Sequence, residues 1–171
     1  MRAFLLPAGL LVLSLICGVG NASPQEKGGS ATAAVYQEGV KAFQQGDLLV
    51  ARKAFEKAVN DSPRNADAQN MLGQVLLQQG NVDDAIVHFR ALVELRPSLA
   101  IAHAYLAQAL ETKGRLDDAL VELRLAVQFA PKQWQSHQAL GSALSLLNKT
   151  DDAIAEFKQA ILLDPEQAEL H

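Results

Sequence analysis

Cysteine is nearly absent, with Cys17 the only one in 171 residues, so no intramolecular disulfide can brace the fold. Aromatic residues amount to 5%, too few for a platform on which nucleic-acid bases stack. Positive charge is not in excess either. The 15 Lys and Arg against 19 Asp and Glu give a formal charge of −4, without the basic surplus that marks a nucleic-acid binder. A phosphate-binding loop, a Gly-x-Ser-x-Gly nucleophile elbow and a Cys/His cluster at metal spacing are all missing. Catalysis would need a site assembled from scattered side chains, so no catalytic, cofactor-binding or metal-ligating residue is assigned. What the chain does have is 49% hydrophobic residues, only six prolines and an abundance of Ala, Leu, Gln and Val. That is enough apolar material for one core, in a balance that suits helices better than sheets.

The first 22 residues, MRAFLLPAGLLVLSLICGVGNA, follow different rules from the rest. Arg2 is the only charge before Glu26, an apolar run follows it, and Gly20 and Ala22 place small residues where a signal peptidase cuts. The expectation is a secretory signal at 1–22 and an exported mature protein, periplasmic or secreted. Retention as an anchor helix is the alternative, since Ala3–Gly20 is nearly long enough to span a bilayer. Only in that case is a membrane a partner. Lipid attachment at Cys17 is disfavoured by the bulky Ile16 before it. Residues 23–31, SPQEKGGSA, read as a flexible linker.

From residue 32 onward the chain repeats itself. Pro63, Pro97, Pro131 and Pro165 stand 34 residues apart, and Ala51, Ala85, Ala119 and Ala153 keep the same interval. Gly39, Gly73, Ala107 and Gly141 form a third column, Gly46, Gly80, Gly114 and Asn148 a fourth, and Phe55, Phe89, Leu123 and Phe157 a fifth. The units are 32–65, 66–99, 100–133 and 134–167, with a short tail at 168–171. Each divides into two amphipathic stretches, such as 66–79 and 82–95. Gly80 can take the left-handed conformation that closes the first stretch, and Pro97 stops the second. One helix pair cannot bury its apolar faces alone, so neighbouring pairs must stack. The predicted fold is all-α, a right-handed solenoid of four helix–turn–helix repeats.

These columns resemble the tetratricopeptide repeat family, whose pattern places large residues at repeat positions 4, 7, 11 and 24, small ones at 8, 20 and 27, and proline at 32. The second repeat supplies Leu72, Gly73, Leu76, Ala85, Phe89, Leu92 and Pro97. Departures are Val35, Gln69, His103 and His137 at position 4, Glu38 at position 7 and Leu92 at the small position 27. The resemblance implies a concave groove on the first-helix side that holds a protein or peptide through positions 2, 5, 9, 12 and 13. Those positions bring in Tyr36, Gln44, Asp67, Asn70, Gln74, Gln78, Gln108, Glu111, Gln138, Ser142 and Ser145. Amides and hydroxyls dominate, and they can bond peptide N–H and C=O groups without requiring a charge. The family's carboxylate clamp needs Lys or Arg at positions 2, 5 and 6, and none is present. Its asparagine ladder needs position 6, which reads Gln37, Met71, Tyr105 and Ala139. The expected partner is therefore neutral or weakly basic, because an anionic tail would meet Asp67 and Glu111 uncompensated.

Two patterns look like chemistry and are better explained by structure. GNVDDAI at 80–86, GRLDDAL at 114–120 and NKTDDAI at 148–154 carry paired acids. Each pair falls in the first turn of a second helix, where the helix dipole favours carboxylates, and Asp47 and Asn81 sit where they can cap. His103, His137 and His171 form a ladder at position 4, but packed helices lie about 8–10 Å apart, too far for neighbouring rungs to share one zinc unaided. They are read as packing residues.

The last full helix, about 151–163, carries Ile154, Phe157, Ile161, Leu162 and Leu163, and EQAELH after Pro165 only begins a further first helix. An uncovered apolar face there would self-associate or dock. The expected function is a non-catalytic exported adaptor or scaffold working through its groove. The alternative is a structural subunit of an envelope or membrane-associated assembly held through this C-terminal end.

Overall fold

Each 34-residue unit folds as two antiparallel helices because one residue between them can turn left-handed. In the computed structural model, which describes residues 29–165, the first unit is α1 (Gly29–Gln44) and α2 (Leu48–Asp61), the second α3 (Ala66–Gln78) and α4 (Val82–Leu95). The third is α5 (Ala100–Thr112) and α6 (Leu116–Phe129), the fourth α7 (Trp134–Leu146) and α8 (Thr150–Leu163). Gly46, Gly80 and Gly114 hold φ of 77°, 79° and 78°, and Asn148 completes the column at 57°. The residue after each donates its N–H five residues back, as Asn81 does to Leu76 at 2.8 Å and Lys149 to Leu144 at 2.9 Å. This is the helix-closing bond that a left-handed residue permits. The signal segment at 1–22, His171 and the tail at 168–171 lie outside the described residues. Helix α1 starts at Gly29, three residues inside the stretch expected as linker.

Helix starts follow the expected electrostatics with one correction. Asp47 accepts from the Val50 N–H at 3.1 Å, and Asn65 accepts from Asp67 and Ala68, both at 3.1 Å. Asn81, expected to cap α4, makes no side-chain cap bond. Helices α4, α6 and α8 rely on the acid pairs in their first turns instead, whose negative charge suits the exposed N–H groups there.

Packing within a repeat depends on a small residue facing a large one. A Cβ built on Gly73 would lie 2.7 Å from Phe89, and one on Gly39 or Gly141 would crowd Phe55 or Phe157 in the same way. The third repeat has Ala107 and Leu123 at these positions, so the added methyl coincides with a smaller partner. Ala51, Ala85, Ala119 and Ala153 line the same core, and Phe55 and Phe89 have no exposed surface. Phe157, in the same column but on the last helix, is only partly covered. Among the described residues, no helix packs on α8 from the side away from α7.

Between repeats a polar rung ties the chain. Gln69 donates through Nε2 to the Pro63 carbonyl at 2.8 Å, and its Oε1 accepts from His88 Nδ1 at 2.7 Å. One repeat later His103 Nε2 donates to the Pro97 carbonyl at 2.9 Å while Nδ1 meets Glu122 Oε2 at 2.7 Å. His137 repeats this with Pro131 and Glu156. The first repeat has Val35 and Ala54 at the two positions, an apolar pair in place of a polar one. The histidines are thus buried structural residues, each facing an acceptor from both ring nitrogens.

Candidate functional site

Helices α1, α3, α5 and α7 stand side by side and form the inner wall on which the candidate residues lie. Gln44, Gln78, Gln108 and Ser142 are exposed, and Asn70, Gln74, Glu111 and Gln138 are half-buried. Tyr36 is also half-buried, with its ring 5.5 Å from that of Phe55, so part of its surface is spent on packing. On α3 the Gln74 Nε2 donates to Asn70 Oδ1 at 2.9 Å. That bond orients both amides, leaving the Asn70 NH2 as a donor and the Gln74 Oε1 as an acceptor.

The electrostatics of this wall differ from the expectation at Asp67. Its carboxylate lies 3.4 Å from Arg96 Nη1, so it is compensated. Glu111 is not: among the described residues its carboxylate has neither a hydrogen bond nor an ion pair, and burial pushes its carboxyl above the ordinary value.

Sequence reasoning passed over the residues beneath the amides. Val40 and Phe43 on α1, Met71 and Leu77 on α3 and Ala139 on α7 are partly buried and rest on the core. Tyr105 on α5 is 7% exposed, stacked 5.5 Å from Phe89. Burial pushes its phenol up to about 12, so it remains a hydrogen-bond donor near neutral pH. Its hydroxyl bonds to no described residue, and no buried side-chain polar atom among them lacks a partner. The hydroxyl is therefore the part of Tyr105 that reaches solvent. The signal for this floor was present in the column Gln37, Met71, Tyr105 and Ala139, where two large side chains interrupt small or polar ones.

Other sites offer less. An open cleft of about 370 Å³ lies between α6 and α8 over Leu140 and Leu144, and none of the groove candidates lines it. Among the described residues no three His, Cys, Asp or Glu side chains converge as a metal site, and no helix is long and apolar enough to cross a membrane.

The sequence matches the tetratricopeptide repeat model over residues 36–100, 78–133 and 135–167. The chain belongs to the tetratricopeptide repeat family. Its structure is similar to MamA 41-end from Desulfovibrio magneticus RS-1, at 25% identity over 80% of this chain and 77% of that one, with a TM-score of 0.75. It is similar as well to YrrB, described as a TPR protein with an unusual peptide-binding site, at 25% identity over 80% of this chain and 71% of that one, with a TM-score of 0.72. A MamA crystal structure at 20% identity, covering 81% of each chain, shares the fold at a TM-score of 0.75. No curated protein matches the sequence. The tetratricopeptide repeat fold is a protein-interaction scaffold, typically a non-catalytic one.

Proposed function

We propose that the protein is an exported, non-catalytic adaptor that holds a neutral or weakly basic segment of another protein in its concave groove. The observation that carries this is the inner wall itself. Oriented amides on α3 and further amides on α5 and α7 stand over an apolar floor, and none of the groove positions holds Lys or Arg. Amides supply bonds to a peptide backbone, and the floor supplies desolvated contact for its side chains. YrrB, of similar fold, is a TPR protein with a peptide-binding site. The test is retention of an exported-fraction partner on the full chain and on a variant with Asn70, Gln74 and Gln108 changed to Ala. A partner lost by the variant supports the adaptor. Equal retention by both moves the contact elsewhere.

A second reading, docking or self-association through 151–163, has its own observation. Ile154, Ile161 and Leu162 on α8 are 46%, 48% and 72% exposed. At the opposite end α1 presents exposed Glu38 and Lys41 in columns where later repeats bury Leu72, Leu106 and Leu140 or Val75, Ala109 and Ala143. A head-to-tail stack would press the apolar face against those charges at a desolvation cost. Self-association is therefore tail to tail and closed, not filamentous. Sedimentation distinguishes a limiting dimer from open-ended growth.

A further inference from the structure

We infer that Glu111 receives a single cationic side chain, Lys or Arg, from the segment held in the groove. The inference rests on the groove reading above and names what that groove selects. The Glu111 column reads Phe43, Leu77, Glu111 and Ser145, and Phe43 and Leu77 are partly buried apolar side chains packed on the core. A carboxylate in that row is removed from part of its water and gains no bond within the chain. Half-burial without a partner costs free energy, and a cation brought by a ligand restores what folding removes.

The surroundings make the position specific. Three cations of the second and third repeats are already engaged: Lys113 with Asp83 at 2.6 Å, Arg115 with Asp118 at 2.6 Å, and Arg96 with Asp67 at 3.4 Å. The other groove acid, Asp67, is the one Arg96 neutralises, so Glu111 is the acidic site on the inner wall with charge to offer. Gln108 lies one turn before it on the same helix, available for the backbone beside the cation. Tyr105, one further turn back, presents its hydroxyl over an apolar ring. The partly buried Leu77, in the same row on α3, supplies the apolar contact, and together with the amide and the acid it describes a short peptide with one Lys or Arg near an aliphatic or aromatic residue. A multiply basic segment would leave its other charges without partners here.

Random 12-residue peptides displayed on phage, selected on the full-length chain, provide the probe. The groove reading requires binders that are lost on the Asn70→Ala, Gln74→Ala, Gln108→Ala variant. Among those groove-dependent peptides the expected result is one enriched Lys or Arg. Changing it to Met should weaken binding to the wild type about tenfold or more, as a charge-assisted bond in a partly dry site predicts. The same change should have little effect on binding to Glu111→Gln, which keeps the shape of the side chain. Groove-dependent peptides without a cation, or an equal loss on wild type and Glu111→Gln, overturn the role of Glu111 and leave the groove reading standing. Failure to select any groove-dependent peptide overturns both.

Discussion

Replacing Gly73 by Ala tests the packing rule on which the solenoid is built, because two effects of opposite sign meet at that position. The added methyl lies 2.7 Å from Phe89 Cε1, 2.9 Å from Cδ1 and 3.0 Å from Cζ, and the ring cannot withdraw easily. It has no exposed surface, and Tyr105 stacks 5.5 Å away. Overpacking of this kind costs about 1–3 kcal/mol. Against it, Ala in a helix interior is favoured over Gly by about 1 kcal/mol. The net expectation for Gly73→Ala is a loss of roughly 1 kcal/mol. With Phe89→Leu in place the clash is removed and the helix preference remains, so Gly73→Ala should stabilise by about 1 kcal/mol. That double variant reproduces the Ala107 and Leu123 pair already present one repeat later.

Urea unfolding of the four members of the cycle, followed by helical circular dichroism, gives a coupling of roughly 2 kcal/mol. The comparison is valid only where the slopes agree, since altered cooperativity in a repeat array changes them too. Equal stabilisation by Gly73→Ala in both backgrounds would refute the reasoning. Glycine would then be present for some reason other than the ring.

Other outcomes follow from the same contacts. Asn148→Gly should stabilise by about 0.5 kcal/mol, because φ of 57° is strained for a residue with a Cβ, and thermal melting against the wild type checks it. Burial lowers the His88 pKa below 6.5, while Asp84 and Glu56 oppose the shift. The unfolded chain therefore binds a proton at His88 more readily, and its contribution to stability is intact above pH 6.5 and falls as pH drops through 6.5 toward the folded value. Unfolding of wild type and His88→Gln at matched pH between about 5.5 and 7.5 isolates the effect, with the flatter profile expected for His88→Gln. Leu162→Glu should abolish any concentration-dependent mass in sedimentation and leave helicity unchanged, because Leu162 is 72% exposed.

The fold was legible because the residues that set it recur at a fixed interval and have few substitutes. A left-handed turn accepts Gly or Asn, so the column Gly46, Gly80, Gly114, Asn148 disclosed the helix ends. Gly73 opposite Phe89 disclosed the helix contact. The polar rung was less visible, because its partners sit 19 residues apart and change identity together: Val35 with Ala54, Gln69 with His88, His103 with Glu122. Reading either column alone shows only variation. The wall that carries the candidate site was legible in outline and its charge was not. Position gave Asn70, Gln74, Gln108 and Glu111 as candidates, but the Arg96 bond that compensates Asp67 joins the C-cap of α4 to the first turn of α3. No periodic pattern announces such a bond.

The separation between the polar groups that hold the fold and those left free is itself informative. Gln69, His103 and His137 are buried, and each is bonded to a proline carbonyl and to a second-helix side chain. No buried side-chain polar atom among the described residues lacks a partner. The Asn70 NH2, the Gln74 Oε1, the Tyr105 hydroxyl and the Glu111 carboxylate are among the groups still able to bond, and all four lie on first helices. A stacked helix array builds its core from one set of columns and presents its inner wall from another. Recognition can then change without weakening the fold. It follows that Asn70→Ala leaves the unfolding midpoint near the wild type, within the about 0.5 kcal/mol usual for surface changes, and that Glu111→Gln does not lower it, since it removes a half-buried charge. His103→Ala, which strands the Pro97 carbonyl and Glu122, costs about 1–3 kcal/mol.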